Sequence, residues 1–177
     1  MAFEVMHTET KFRGKAFDVR QDQVSLPDGN RARLDIVVHN ESVSMIPVDA
    51  DGLIWFIRQY RHPAQGEILE LPAGVMEAGE RPEYSAGREI REEIGMAASQ
   101  LKKLGSFFLA PGYSTELMHV YLATGLNEDP LQPDRDEFIR IEKITVQEAF
   151  RLAESGQIRD AKTLAALLLA RPYLAHV

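Results

Sequence analysis

Three glutamates near the middle of the chain, Glu89, Glu92 and Glu93, are spaced i, i+3 and i+4. In a helix that spacing gathers them on one face, over an arc of roughly 100°. Ala86, Ile90 and Ile94 form the adjoining apolar stripe. The helix can therefore bury one side while three carboxylates stand on its flank. Like charges at this spacing cost roughly a few tenths of a kcal/mol per pair. Glu92 and Glu93 also fall in the last turn, the unfavourable end of the helix dipole for anions. A purely structural helix would carry Lys or Arg there. Divalent cations remove both penalties, and hard oxygen donors without thiols suit Mg²⁺ or Mn²⁺.

The surrounding residues extend the pattern. Five residues separate Gly74 from Glu80, and seven more separate Glu80 from Arg88-Glu89-Ile90-Arg91-Glu92-Glu93-Ile94-Gly95-Met96. Every fixed position of G-x5-E-x7-R-E-U-x-E-E-x-G-U, with U apolar, is met; ordinary residue frequencies give a chance match on the order of one in 10⁹ per start position. This stretch resembles the Nudix box, and the chain is similar to the Nudix hydrolases, which cleave a nucleoside diphosphate linked to another group. The resemblance implies that Glu89, Glu92 and Glu93 are metal ligands and that the carbonyl of Ala73 joins them. Gly74 is expected to let the backbone turn tightly, Arg88 and Glu80 to pair and fix the loop against the helix, and Gly95 to close the helix. The implied chemistry is attack of water on phosphorus, with metal ions activating the water and neutralising phosphate charge. Glu92, Glu93 and Glu137 remain alternatives for the acid that activates the water. Glu137 is the best match to a mobile catalytic acid of the resembled enzymes, with Asp136 beside it.

Flanking residues narrow the substrate. Pro111 lies fifteen residues past Met96, a marker of the ADP-ribose pyrophosphatase group. Ala110-Pro111-Gly112-Tyr113-Ser114-Thr115-Glu116, Gln59-Tyr60-Arg61-His62-Pro63 and Glu70-Leu71-Pro72-Ala73-Gly74 resemble that group too. Ile158-Arg159-Asp160-Ala161-Lys162-Thr163 resembles the sister group acting on GDP-mannose. Arg61 is the candidate phosphate clamp, as a planar guanidinium can fork onto a phosphate. Pro111 and Ser114 are candidate substrate contacts. Glu41, in a stretch (His39-Asn40-Glu41) that departs from the commonest pattern, is another. ADP-ribose, giving AMP and ribose 5-phosphate, is the expected substrate, with GDP-mannose-type sugars second. A Nudix enzyme for nucleoside triphosphates, dinucleoside polyphosphates or capped RNA would not be expected to carry the proline marker. A module that senses ADP-ribose without cleaving it would be expected to have lost box carboxylates, and here all are present.

These residues need a scaffold, and the chain has the means for one. Its 177 residues are 45% hydrophobic and 27% charged, enough for one domain with a core plus a small appendage. There are no cysteines, so disulfides and thiolate metal sites are excluded. The net charge of −7 argues against a general nucleic-acid or anionic-membrane binder. The longest apolar run, Leu164 to Ala170, is far short of the roughly 20 residues of a membrane span. A cytoplasmic protein is the expectation.

Alternation places strands over 17–26, 31–39, 43–48, 53–59, 101–109, 116–124 and 138–144, with a short extended stretch at 68–71. The period turns helical between Glu80 and Gly95, with Pro82 suited to the first turn. Thr145-Val146-Gln147-Glu148 reads as a capping box opening a second helix. Asp160 is expected to cap a third that ends before Pro172, and residues 127–136 a Pro- and Asp-rich loop. The expected class is α/β, a Nudix-type α/β/α sandwich with a mixed sheet, preceded by N-terminal antiparallel strands. Residues 1–45 are expected as that extension and 46–177 as the Nudix domain. Trp55 is expected in the core and Tyr113 in packing rather than in stacking on a base. In the resembled enzymes the extension exchanges with a two-fold partner and helps build the nucleoside pocket, which implies a homodimer.

Overall fold

The structure, a computed structural model, describes residues 2–132 and 138–174. Its strands and helices fall into two compact units, Met1–Glu41 with Phe108–Leu117, and Ser42–Phe107 with Met118–Val177.

The first unit is an antiparallel sheet of three strands, β1 (Glu4–Arg13), β2 (Asp18–Ser25) and β3 (Arg31–Val38), in that order. Strands β2 and β3 register residue for residue, from Asp18 opposite Val38 to Ser25 opposite Arg31. The turn between them uses Gly29 at φ 84°, which glycine reaches without strain. Strand β1 is absent from the sequence expectations, and two irregularities in its pairing, at Val5/His7 and Thr10/Phe12, give the reason. Each bulge resets the two-residue period by which a strand is recognised. The loop 108–117 belongs to this unit: the Val37 N–H donates to the Tyr113 carbonyl (2.7 Å) and the Thr115 N–H to the Val37 carbonyl (3.0 Å). Tyr113 itself is exposed, not packed as expected.

The second unit holds two sheets. One is mixed and four-stranded, ordered β7 (Ala73–Val75), β4 (Ser42–Pro47), β9 (Leu117–Glu128), β8 (Met96–Phe108). Here β4 runs parallel to β9 and antiparallel to β7. The other is antiparallel, β10 (Ile139–Thr145), β5 (Leu53–Arg61), β6 (Gly66–Glu70). All six residues of β4 are buried, which fits a central strand covered on both faces. With β4 at its centre, the second unit begins at Ser42.

Helix α1 (Pro82–Ile94) packs on this mixed sheet. Ala86, Ile90 and Ile94 form a core with Val43 and Met45 of β4, Trp55 and Ile57 of β5, and Tyr121 and Ala123 of β9. Pro82 at the first turn and Gly95 at φ 71° end the helix where the sequence implies. Helix α3 (Ala161–Leu174) packs its own buried stripe, Thr163, Ala166, Leu167, Ala170 and Leu174, against β4 as well. The helix-sheet-helix arrangement with a mixed sheet is thus the one expected. Helix α2 (Val146–Glu154) lies against β10 and β5.

Details differ. Strand β9 runs to Glu128, into the stretch expected as loop. The capping box is half made: Thr145 Oγ1 accepts the Glu148 N–H (3.2 Å), but the Glu148 carboxylate turns to Arg151 (2.6 Å for each oxygen). Helix α3 continues through Pro172 instead of stopping before it. The carbonyl that loses its donor belongs to Leu168, which is 68% exposed and within reach of water. Among the described residues no helix is long and apolar enough to cross a membrane.

Candidate active site

Two charged networks dominate the second unit. The first is built on α1 and the loop before it. Gly79 takes φ 81° in the tight turn between Glu77 and Glu80. The turn folds Glu80 back, so its carboxylate accepts the Glu77 N–H (3.0 Å) and meets Arg88. Arg88 Nε and Nη2 donate to the two Glu80 oxygens (3.2 and 3.1 Å). Its Nη1 donates to Glu89 (2.7 Å) and to Glu92 (2.8 Å). One guanidinium therefore serves three carboxylates. Burial works against the charge of Arg88, but these partners outweigh it and hold its pKa far above the ordinary value.

Glu93, one turn on from Glu89, is buried and accepts the Ala73 N–H (2.9 Å). Strand β7 thus docks on the acidic face of α1. Gly74 stands at the closest approach: a Cβ there would overlap the Glu89 carboxylate. Its backbone is not in the left-handed region. The glycine is required by that close approach, not by the tight turn expected from the sequence.

The second network lies outside the motif and was not expected from the sequence. Glu70, at the end of β6, is 2% exposed, yet carries a carboxylate. Arg61, at the end of β5, forks onto it through Nε and Nη2, both at 2.9 Å. Lys162 of α3 bonds the same carboxylate and also Asp160 (3.0 Å). Burial alone would raise the Glu70 pKa; Arg61 and Lys162 together bring it below the ordinary value. Arg61 is held above its own ordinary value, first by Glu70, with Glu93 and Asp160 adding to the field. Asp160 caps α3 by accepting the Thr163 N–H (3.0 Å) and hydroxyl (2.6 Å), and Thr163 Oγ1 accepts the Leu71 N–H (2.8 Å).

Residues 38–167 match the NUDIX domain. The chain belongs to the Nudix family. An ADP-ribose pyrophosphatase of Bacillus subtilis (strain 168) is 39% identical over 90% of this chain and 87% of that protein. A methanol dehydrogenase activator of Bacillus methanolicus is 36% identical over 93% and 90%. A solved structure, that of an ADP compounds hydrolase, superposes with a TM-score of 0.89 at 25% identity, covering 99% of this chain and 96% of that one.

Nudix hydrolases depend on divalent metal ions. The donor set here fits such an ion. Glu89, Glu92 and Glu93 offer hard carboxylate oxygens on one helical face, and Gly74 keeps side-chain bulk off Glu89. Among the described residues these carboxylates do not converge into one metal-binding cluster: Arg88 engages Glu89 and Glu92, and the Ala73 N–H engages Glu93.

The remaining Nudix expectations fall as follows. Glu80 and Arg88 pair as expected, and Arg88 reaches the box carboxylates as well. Pro111, Ser114 and Glu41 lie in the first unit. There the loop bearing Pro111 and Ser114 is tied to the end of β3, since the His39 N–H donates to Thr115 Oγ1 (2.9 Å). Trp55 is core, with its Nε1–H on Asp49 (2.8 Å). Glu137 and Asp136 lie outside the described residues. Glu70 and Lys162 are the residues that sequence reasoning missed. Their signal was a glutamate ending an otherwise apolar run, and a lysine inside the Asp160-Ala161-Lys162-Thr163 motif.

Proposed function

We propose that this chain hydrolyses the pyrophosphate bond of nucleoside diphosphate sugars, ADP-ribose first, to AMP and ribose 5-phosphate. The observation that carries this is the acidic cluster of α1 and the turn before it, where Glu80, Glu89 and Glu92 all meet Arg88. Such a surplus of negative charge is a place for divalent cations. The relatives named for ADP-ribose and ADP compounds support the substrate.

In this reading Glu89, Glu92, Glu93 and the Ala73 carbonyl hold Mg²⁺ or Mn²⁺. When bound, such ions lower the pKa of water and neutralise phosphate charge. Arg61 binds a substrate phosphate and orients it. The water oxygen bonds to phosphorus, the bridging P–O bond breaks, and the water's proton passes to Glu92, Glu93 or Glu137. Pro111, Ser114 and Glu41 contact the rest of the substrate. GDP-mannose-type sugars are the second reading, carried by the Ile158–Thr163 motif and by the relatives named for GDP-mannose.

The assembly belongs to the same reading: a cytoplasmic homodimer, with 1–45 as dimerising extension and 46–177 as catalytic domain. Phe3, Val5, Met6, Phe12 and Phe17 are exposed on the first unit, and a second chain would cover them.

The test is a panel of ADP-ribose, GDP-mannose, ATP and dinucleoside polyphosphates, assayed with Mg²⁺ and with Mn²⁺. ADP-ribose or GDP-mannose should give the highest kcat/KM, and Arg61→Ala should raise KM. If ATP or a dinucleoside polyphosphate wins, the substrate assignment is wrong. Light scattering should show a dimer; a fully active monomer of 19.9 kDa would overturn the assembly.

A further inference from the structure

Lys162 has no part in the chemistry above, yet it is deeply set for a lysine, with its side chain 13% exposed. Buried ammonium groups are kept only where their partners are good. Its partners are specific. The Glu70 carboxylate already holds Arg61 through both oxygens, and Lys162 lands on the oxygen that also takes Arg61 Nη2. Asp160 anchors Lys162 from the other side. Asp160 is itself fixed as the cap of α3, and the Thr163 hydroxyl ties that cap to the Leu71 N–H, next in the chain to Glu70. The carboxylate that holds Arg61 is thus braced twice from α3, by an ion pair and through the backbone of its neighbour.

Arg61 needs such bracing. It ends β5, just before a single turn of 3-10 helix at His62–Ala64, and its side chain is about one third exposed (38%). A long guanidinium there has many rotamers, and holding one costs entropy. Glu93 adds to the field that keeps Arg61 charged.

We propose that Lys162 is a positioning residue: through Glu70 it fixes the guanidinium of Arg61 in the pose that takes substrate phosphate. This rests on the reading of Arg61 as a phosphate ligand. A lysine that merely held α3 to the sheet would lower stability and leave substrate affinity alone. A lysine that touched phosphate itself would act independently of Arg61.

The experiment is a double-mutant cycle in the full-length protein with Mg²⁺ and ADP-ribose: wild type, K162M, R61A and the double variant, with K162R as the conservative control. K162M should raise KM about ten-fold while kcat changes less than about three-fold, and K162R should recover most of the loss. In the R61A background K162M should add nothing further, because the two act as one unit. Additive effects, or an unchanged KM with only a lower Tm, overturn the proposal. If K162M does not fold, K162Q takes its place in the cycle, with K162R still the control. If the wild type does not cleave ADP-ribose, the substrate reading fails by itself. The cycle is then read from binding of inorganic pyrophosphate with Mg²⁺ by calorimetry, where non-additivity supports the positioning role and additivity, or no binding, overturns it.

Discussion

The two charged networks of the second unit are built from the same kinds of side chain and balanced in opposite ways. Around Arg88, one cation faces Glu80, Glu89 and Glu92, with Glu93 close by on the same helical face. Around Glu70, two cations, Arg61 and Lys162, meet two carboxylates, Glu70 and Asp160. The second set is neutral as it stands. In the first, one guanidinium is divided among three carboxylates. The balanced set holds Arg61 in one pose, whereas the other collects carboxylates around a single cation.

The contrast can be broken in several places. The largest effect should come from Glu93→Gln, which removes a charge from the unbalanced set. It should keep the fold, by circular dichroism, and lower kcat by at least about 10³, since metal-centred charge stabilisation supplies several kcal/mol. Near-normal turnover at saturating Mg²⁺ would refute the ligand assignment.

Gly74→Ala probes the same set by crowding rather than charge. The added methyl must push the Glu89 carboxylate aside. Urea denaturation should show a loss of about 1–3 kcal/mol, the range for overpacking, and activity should fall with it. Wild-type stability and turnover together would show that Glu89 moves freely.

The balanced set is tested by acid. Glu70 has a folded pKa below its ordinary value, so the unfolded chain binds the proton first as pH falls. Its contribution to stability is whole above about pH 4.3, the unfolded value, and is lost as pH drops through the folded value. Thermal melts should lose Tm across that window, and Glu70→Gln should flatten this part of the profile while lowering Tm at neutral pH. An unchanged acid limb in that variant would mean that other carboxylates dominate it.

The smallest effect belongs to Gly87, on α1 but outside both networks. A Cβ there would meet only Leu101, at 3.9 Å, an ordinary contact. Gly87→Ala should stabilise by roughly 0.5–1 kcal/mol, as measured by denaturant titration, with kcat unchanged.

Legibility in the sequence followed the range of the interactions. Helix α1 was plain because its period, Pro82 and Gly95 all lie within one short stretch. The acidic face followed from the same period. Strand β1 was not, because its bulges erase the alternation and all ten residues are exposed. Strand β7 has three residues, too few to show a period. Gly74 was singled out for a turn, whereas its constraint is a carboxylate fifteen positions away. The pairing of Glu70 with Lys162 spans 92 positions and has no local signature at all. What a motif cannot carry is the set of partners that the fold brings from elsewhere in the chain.

That separation of 92 positions has a consequence for how the protein is made. The box residues all leave the ribosome before position 100, but Glu70 receives its lysine only when residue 162 follows. At about 5–20 residues per second, a buried-to-be carboxylate waits roughly 5–20 s for its partner. A chain cut short before Asp160 would carry an intact motif and an unbraced Arg61.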